Sequence, residues 1–308
     1  MRIGLALPQY GRLADPALTV RVAAAAEEIG YDSLWVGDRL LVATEPLSPY
    51  PGGDRSVLAQ HETFLDPLVL LTVAAGVTRR ARLGTSTLNA LWQPPMLLAR
   101  SLATIDQVSA GRLDVGLGLG WSRDEYQAVG TPWQGRGVRL EETLDLFDRI
   151  WAEDEVVRHD GALWTVPSSY VRLKPRQRPR PPVLLGGFGP ATLARVGRRA
   201  DGWLGVGLPL PVLAQAWEAV TGHAAKAGRD ADALRLVLRV NPVFSADPVP
   251  DEQVPNRGTV RQLADYLSAA VESLGAEPLI DLHHTADDVE EFLDLARELH
   301  DLVRSRTA

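Results

Sequence analysis

The chain's 308 residues are 45% hydrophobic, enough to bury a substantial core in one large domain or two ordinary ones. Its formal net charge is −7 with no long basic run, which leaves it without the sequence-independent attraction that drives nucleic-acid binding. It has no cysteine, so disulfides, thiolate nucleophiles and Cys-ligated metal centres are excluded together.

The two lysines, Lys174 and Lys226, fall in an arginine-rich coil and a helix tail, which argues against Schiff-base chemistry at a strand end. Met1-Arg2-Ile3-Gly4 leads directly into a strand rather than a signal peptide. No apolar run approaches the roughly 18 residues of a bilayer span, so a cytoplasmic protein without membrane contact is expected.

Residues 2–7 alternate apolar positions and end at Pro8-Gln9-Tyr10-Gly11 as a first strand. Asp15-Pro16 caps a helix whose apolar stripe runs to Gly30. Residues 33–36 form the second strand, stopping at Gly37-Asp38-Arg39. The stretch 40–63 is rich in Pro, Gly and Ser without a sustained period, a long loop of the kind that is either functional or disordered.

Asp66-Pro67 caps a helix through residue 78, and residues 82–88 read as a buried parallel strand. Pro94-Pro95 opens a helix that stops at Gly111. The strand 113–119 then runs into Gly116, Gly118 and Gly120, which strip one face of side chains so that a flat ring or another backbone can approach.

After a polar turn comes a helix at 138–152, then a hairpin at 156–166 turning on Asp160-Gly161. Residues 172–182 are a coil of arginine and proline, read most simply as a solvated linker. Strands at 182–187, 202–206, 234–244 and 278–283 alternate with helices at 191–200, 212–227, 260–274 and 287–303. Eight strands, each followed by a helix, predict a single (β/α)8 TIM barrel spanning residues 1–308, with insertions at about 40–63 and 153–180. A doubly wound open sheet is the alternative.

Active sites in such barrels lie at the carboxyl ends of the strands. Those ends are poor in conventional catalysts here, and no metal site is expected: the only paired histidines, His283 and His284, are adjacent and would point apart. Glycines, aromatics, hydroxyls and amides dominate instead, which points to a bound organic cofactor. Gly186-Gly187-Phe188-Gly189-Pro190-Ala191-Thr192 leaves a strand and enters a helix, presenting free N–H groups to a phosphate; a plain tight βα turn is the other reading.

The sequence is similar to the luciferase-like monooxygenase superfamily, in particular its actinobacterial coenzyme F420-dependent oxidoreductases. The resemblance covers nearly the whole chain. It rests on Gly30-Tyr31-Asp32-Ser33-Leu34-Trp35-Val36-Gly37-Asp38, Arg82-Leu83-Gly84-Thr85, the run from Leu102 through Asp106-Gln107 to Gly111-Arg112, Gly118-Leu119-Gly120-Trp121, Arg136-Gly137, Gly186-Gly187 with Gly189-Pro190-Ala191, and Ala200-Asp201-Gly202-Trp203.

The resemblance implies a non-prolyl cis peptide at Ser86-Thr87. It places Asp38, Asn89, Leu119, Gly120 and Asp124 against a ring system or its tail, and Gly187, Phe188, Gly189, Ala191 and Thr192 at a phosphate. Relatives that oxidise alcohols follow the second-strand Asp with a His, here Arg39, and carry a Glu at the position of Trp121. Reduction of an activated C=C or C=N bond by reduced deazaflavin is therefore expected over alcohol oxidation, with Asp38, Tyr10 or His61 as proton donor.

Tyr10, Arg39, Trp92 and Trp121 would wall the pocket for a small-molecule substrate, although aromatic residues at strand ends are also ordinary packing. The arginine coil would suit an acidic cofactor tail, favouring F420 over the alternative, FMN. The FMN reading is a monooxygenase served by a separate reductase. A barrel that binds cofactor without turnover is a third possibility, and the resemblance implies a homodimer.

Overall fold

Aspartate or proline starts most of the outer helices, glycine ends some of them, and short aliphatic strands lie between. In the structure, a computed structural model describing residues 1–51 and 59–307, these pieces close into a parallel barrel. Its strands are β1 (Gly4–Ala6), β2 (Ser33–Val36), β3 (Arg82–Thr85), β4 (Leu113–Gly118), β5 (Val183–Gly186), β6 (Gly202–Val206), β7 (Arg235–Val240) and β8 (Glu277–Ile280). The helices packed around them are α1 (Pro16–Ile29), α2 (Pro67–Val77), α3 (Pro95–Val108), α4 (Arg136–Trp151), α5 (Pro190–Arg199), α6 (Leu210–Lys226), α7 (Val260–Leu274) and α8 (Val289–Thr307).

Closure is explicit in the register: Gly4 of β1 pairs with Leu279 of β8, and Leu83 of β3 pairs with Leu113 of β4, which joins the two ends of the sheet and leaves no edge for an open doubly wound arrangement. Local chemistry sets the helix ends. The Asp15 side chain accepts from Ala17 N at 2.8 Å and Asp66 accepts from both Leu68 N and Val69 N at 2.9 Å, satisfying N–H groups that a helix start leaves unpaired. Gly30, with φ 113°, closes α1 in the left-handed region.

The barrel interior is filled by Ala6, Trp35, Leu184, Leu204, Val237 and Leu279. Trp35 is 1% exposed and dominates this layer, a burial worth on the order of 5 kcal/mol of apolar transfer. It fits because β3 offers a glycine: a Cβ on Gly84 would stand 2.2 Å from the indole. The same accommodation shapes β4, where a Cβ on Gly116 would meet the Thr85 carbonyl at 1.8 Å. At Gly116 the neighbouring backbone covers β4, one of the two expected uses, while the Thr87 side chain covers Gly118.

Several expected elements are redrawn. The strand expected at 82–88 stops at Thr85, bulges through Ser86-Thr87, and resumes at Leu88–Asn89, which pairs with Leu117 and Gly118. The strand expected at 234–244 ends at Val240; after the proline at 242, Val243–Phe244 pairs instead with Arg257–Gly258. The polar turn after Trp121 contains a short helix, Arg123–Ala128.

The hairpin does not turn on Asp160-Gly161. Asp160 pairs with Thr165 across a four-residue loop, and the second arm runs to Tyr170. The reason is Glu142 of α4, whose carboxylate accepts from Leu163 N at 3.0 Å and Trp164 N at 2.7 Å and draws the loop out. The insertion expected at 40–63 is described at 40–51 and 59–63; its centre, 52–58, lies outside the described residues.

The arginine coil proves not to be solvated throughout, and it sits at the wrong end for a cofactor tail. Arg176 N and Gln177 N donate to Asp106, and the Gln177 amide donates to Leu113 O at the start of β4. That is the amino-terminal mouth of the barrel, opposite the site expected at the strand carboxyl ends.

Candidate active site

At the carboxyl ends a cavity of about 210 Å³ opens between β1, β2, the bulge after β3, the loop after β4, and β7. Tyr10, Asp38, Arg39, His61, Ser86, Thr87, Asn89, Trp92, Gly120 and Trp121, all expected from the sequence, line it together. Glu125, Arg239 and Phe64, which were not expected, line it too.

The Ser86–Thr87 peptide is cis, as anticipated. Thr87 leans across glycines on both sides. Its Oγ1 lies 2.5 Å from where a Cβ on Gly118 would stand and its Cγ2 lies 2.8 Å from a Cβ on Gly186. The bulge therefore abuts the glycine turn after β5.

In that turn Gly187 has φ 127° and Gly189 is the N-cap of α5 with open space where a Cβ would be. Among the described residues no acceptor takes the N–H groups of Phe188 or Gly189. The Phe188 ring is 40% exposed with its edge on Trp203, whose indole N–H donates to Gly187 O at 3.0 Å. Free N–H groups at a helix start, glycine on the approach and the Thr192 hydroxyl beside Gly187 suit a phosphate.

The cavity's acidic side begins with Asp38. It accepts from Asn89 N at 3.0 Å, and burial pushes its carboxyl up to about 7, with Glu125 and Asp66 adding to the shift. The Asn89 amide donates to Leu119 O, which also accepts from the Tyr126 hydroxyl at 2.6 Å, so Leu119 contributes a carbonyl rather than a side chain. Asp124 does not face the cavity: both of its oxygens accept from Leu47 N at 3.1 Å, tying the insertion to the short helix.

Tyr10 is 3% exposed, stacked on His283 at 3.8 Å and on Phe64 at 5.1 Å, and its hydroxyl donates to Asp281 at 3.2 Å. Burial holds that hydroxyl well above its ordinary range. Burial takes His61 the other way, down to about 4, so it is a neutral imidazole near pH 7. Of the three expected proton donors only Asp38 exchanges a proton readily at neutral pH.

A buried network supports this wall. Arg239 donates to the Ser86 carbonyl and to Asp281, while Asn241 donates to the same carboxylate at 2.7 Å. His283 Nδ1 lies 2.6 Å from Asp281, and its Nε2 accepts from Gln9 N at 3.0 Å, which fixes the tautomer with the proton on Nδ1. His283 is buried and His284 half-buried, so one core-facing histidine is as expected, but the two do not point apart: both rings lie against Tyr10, at 3.8 and 6.2 Å, because the chain has already left β8 at Ile280. Among the described residues no cluster of side chains is arranged to hold a metal, and no helix is long and apolar enough to cross a membrane.

A cavity at the strand carboxyl ends with Asp38 and Glu125 in its wall, beside a glycine turn with free N–H groups, has the shape and chemistry suited to a bound phosphorylated organic group. Residues 2–254 match the model of the luciferase-like monooxygenases, and the chain belongs to that family, whose members are oxidoreductases. An uncharacterised protein of Mycobacterium tuberculosis is 32% identical over 252 residues, covering 79% of this chain and 85% of its own.

Two solved structures share the fold. The coenzyme F420-dependent tetrahydromethanopterin reductase of Methanopyrus kandleri has a TM-score of 0.74 at 16% identity, over 96% of this chain and 97% of that one. The oxygenating constituent of the Pseudomonas putida 3,6-diketocamphane monooxygenase, in complex with FMN, has a TM-score of 0.75 at 16% identity, over 100% and 99%.

Proposed function

We propose that the protein transfers a hydride between coenzyme F420 and a small organic substrate, in the direction that reduces an activated C=C or C=N bond. The observation that carries this reading is Asp38, a buried carboxyl in the cavity wall that keeps a proton up to about pH 7. A reduction needs a proton as well as a hydride, and Asp38 holds one where the cavity opens.

The residues present fit the cofactor. The Ser86–Thr87 bulge, Asn89 and Gly120 would seat the ring, and Gly187, Phe188, Gly189, Ala191 and Thr192 the phosphate. Bound there, the deazaflavin supplies the hydride. Arg239 fixes the bulge through the Ser86 carbonyl, and Asn89 N orients Asp38. Trp92 and Trp121 exclude water from the mouth. Arg39 in place of a histidine leaves no imidazole next to Asp38 in the chain after β2 to take a proton from an alcohol, which favours the reductive direction.

The second reading is an FMN-dependent monooxygenase fed by a partner reductase. It gains weight because the arginine coil lies at the opposite mouth and cannot reach an acidic tail. Anaerobic oxidation of reduced F420 on adding a substrate supports the first reading, and oxygen uptake with reduced FMN supports the second. Neither activity with any acceptor would leave a cofactor-binding barrel without turnover. We further propose a homodimer, as the resemblance implies; sedimentation velocity tests it.

A further inference from the structure

Arg39 lies three residues past the end of β2 in the cavity wall, and its Nε lies 3.3 Å from Glu125 Oε1, with side-chain exposures of 11% and 1%. The guanidinium plane covers the Trp121 ring at 4.5 Å, and Glu125 also accepts from Leu40 N at 2.9 Å, which anchors the carboxylate from the insertion side. The other guanidinium lining the cavity, Arg239, is matched by Asp281, which is fully buried. Among the described residues, each cation on the wall therefore has its own buried carboxylate.

We propose that Glu125 sets the charge of the substrate: by neutralising Arg39 it makes the cavity accept an uncharged, carbonyl-bearing conjugated molecule and refuse the corresponding carboxylate. The inference rests on the reductase reading for the word substrate, but its physical content is a binding preference. An anion entering the cavity meets no uncompensated cation and lies close to Glu125 in a partly dehydrated space, where like charge is costly. A neutral carbonyl keeps Arg39 as a hydrogen-bond donor, because Glu125 balances its charge at 3.3 Å without accepting a hydrogen bond from Nε.

The probes are trans-cinnamamide and trans-cinnamate, near-isosteres that differ in one charge, titrated calorimetrically into cofactor-free protein at pH 8. The wild type is expected to bind the amide at least tenfold tighter. Glu125→Gln, which can still accept from Leu40 N, exposes the Arg39 charge and should narrow or invert that ratio by tenfold or more. Glu125→Asp keeps the charge and should keep the preference, and Arg39→Met should weaken the amide without improving cinnamate. A wild type that binds both probes equally, or binds neither, overturns the proposal, as does a Glu125→Gln ratio within twofold of wild type. A separate titration with F420 and FMN reads the cofactor assignment alone, so either idea can fail without the other.

Discussion

Arg239 of β7 donates to the carbonyl of Ser86, the oxygen of the cis peptide itself, so a charged strand residue from across the barrel holds the bulge that lines the cavity. Arg239 in turn is held by Asp281, which also receives Asn241, Tyr10 and His283. Removing one partner of a buried pair costs more than the pair contributes, because the other charge is left without compensation. Asp281→Ala is expected to lose about 3–5 kcal/mol in urea denaturation, and the double variant Arg239→Met, Asp281→Leu to recover part of it. A loss below about 1 kcal/mol would mean that the network is ornamental.

Asp38 gives a pH signature in both stability and activity. Its folded-state pKa is raised to about 7, so between about pH 4 and 7 the folded chain keeps a proton that the unfolded chain has released. Stability therefore falls as pH rises through that window and is level above it. If Asp38 delivers the proton, kcat/KM for reduction drops above about pH 7, and Asp38→Asn removes that limb of the profile together with most of the rate. An unchanged alkaline limb in Asp38→Asn moves the proton to another group.

Two glycines test the packing account with opposite signs. Gly116→Ala puts a Cβ against the Thr85 backbone, which cannot yield as a side chain can, and should destabilise by about 3 kcal/mol. Gly76, near the end of α2, has open space at that position, and Gly76→Ala should stabilise by about 0.5 kcal/mol through helix propensity. Thermal melts of both variants decide it.

Much of the barrel was legible because its signals are local. Asp15-Pro16, Asp66-Pro67 and Gly30 mark helix ends by their own chemistry, and the βα alternation leaves few topologies open. The glycine turn was legible from its own residues and the cis bulge by resemblance. What the sequence hid is the set of contacts made between elements distant in the chain. Arg239 reads as the second of two arginines in an otherwise aliphatic strand and Asp281 as one charge past another, and only the register that sets β7 beside β8 shows them as a pair. Their occurrence near two strand carboxyl ends was a usable signal. The engagement of Asp124 by Leu47, and of the hairpin loop by Glu142, has no sequence marker, because a carboxylate meeting a backbone N–H leaves no periodicity.

Gly189→Ala separates cofactor binding from folding. The position has φ −64° and nothing within reach of a Cβ, so the unliganded protein should melt within about 1 °C of wild type. The methyl would project at the N-terminus of α5, and phosphate-bearing cofactor should bind at least tenfold more weakly. Equal affinity in this variant would remove the phosphate from that turn.

The central claim is that the bulge at Ser86–Thr87 and the turn at Gly187–Thr192 together hold one phosphorylated ring cofactor. Its most direct measurement is an equilibrium titration of purified protein with coenzyme F420 and with FMN, followed by ligand fluorescence. The account predicts saturable binding of one cofactor per chain, with F420 preferred and the affinity lowered in Gly189→Ala. Absence of binding by both cofactors in folded protein, or binding that Gly189→Ala leaves unchanged, contradicts it.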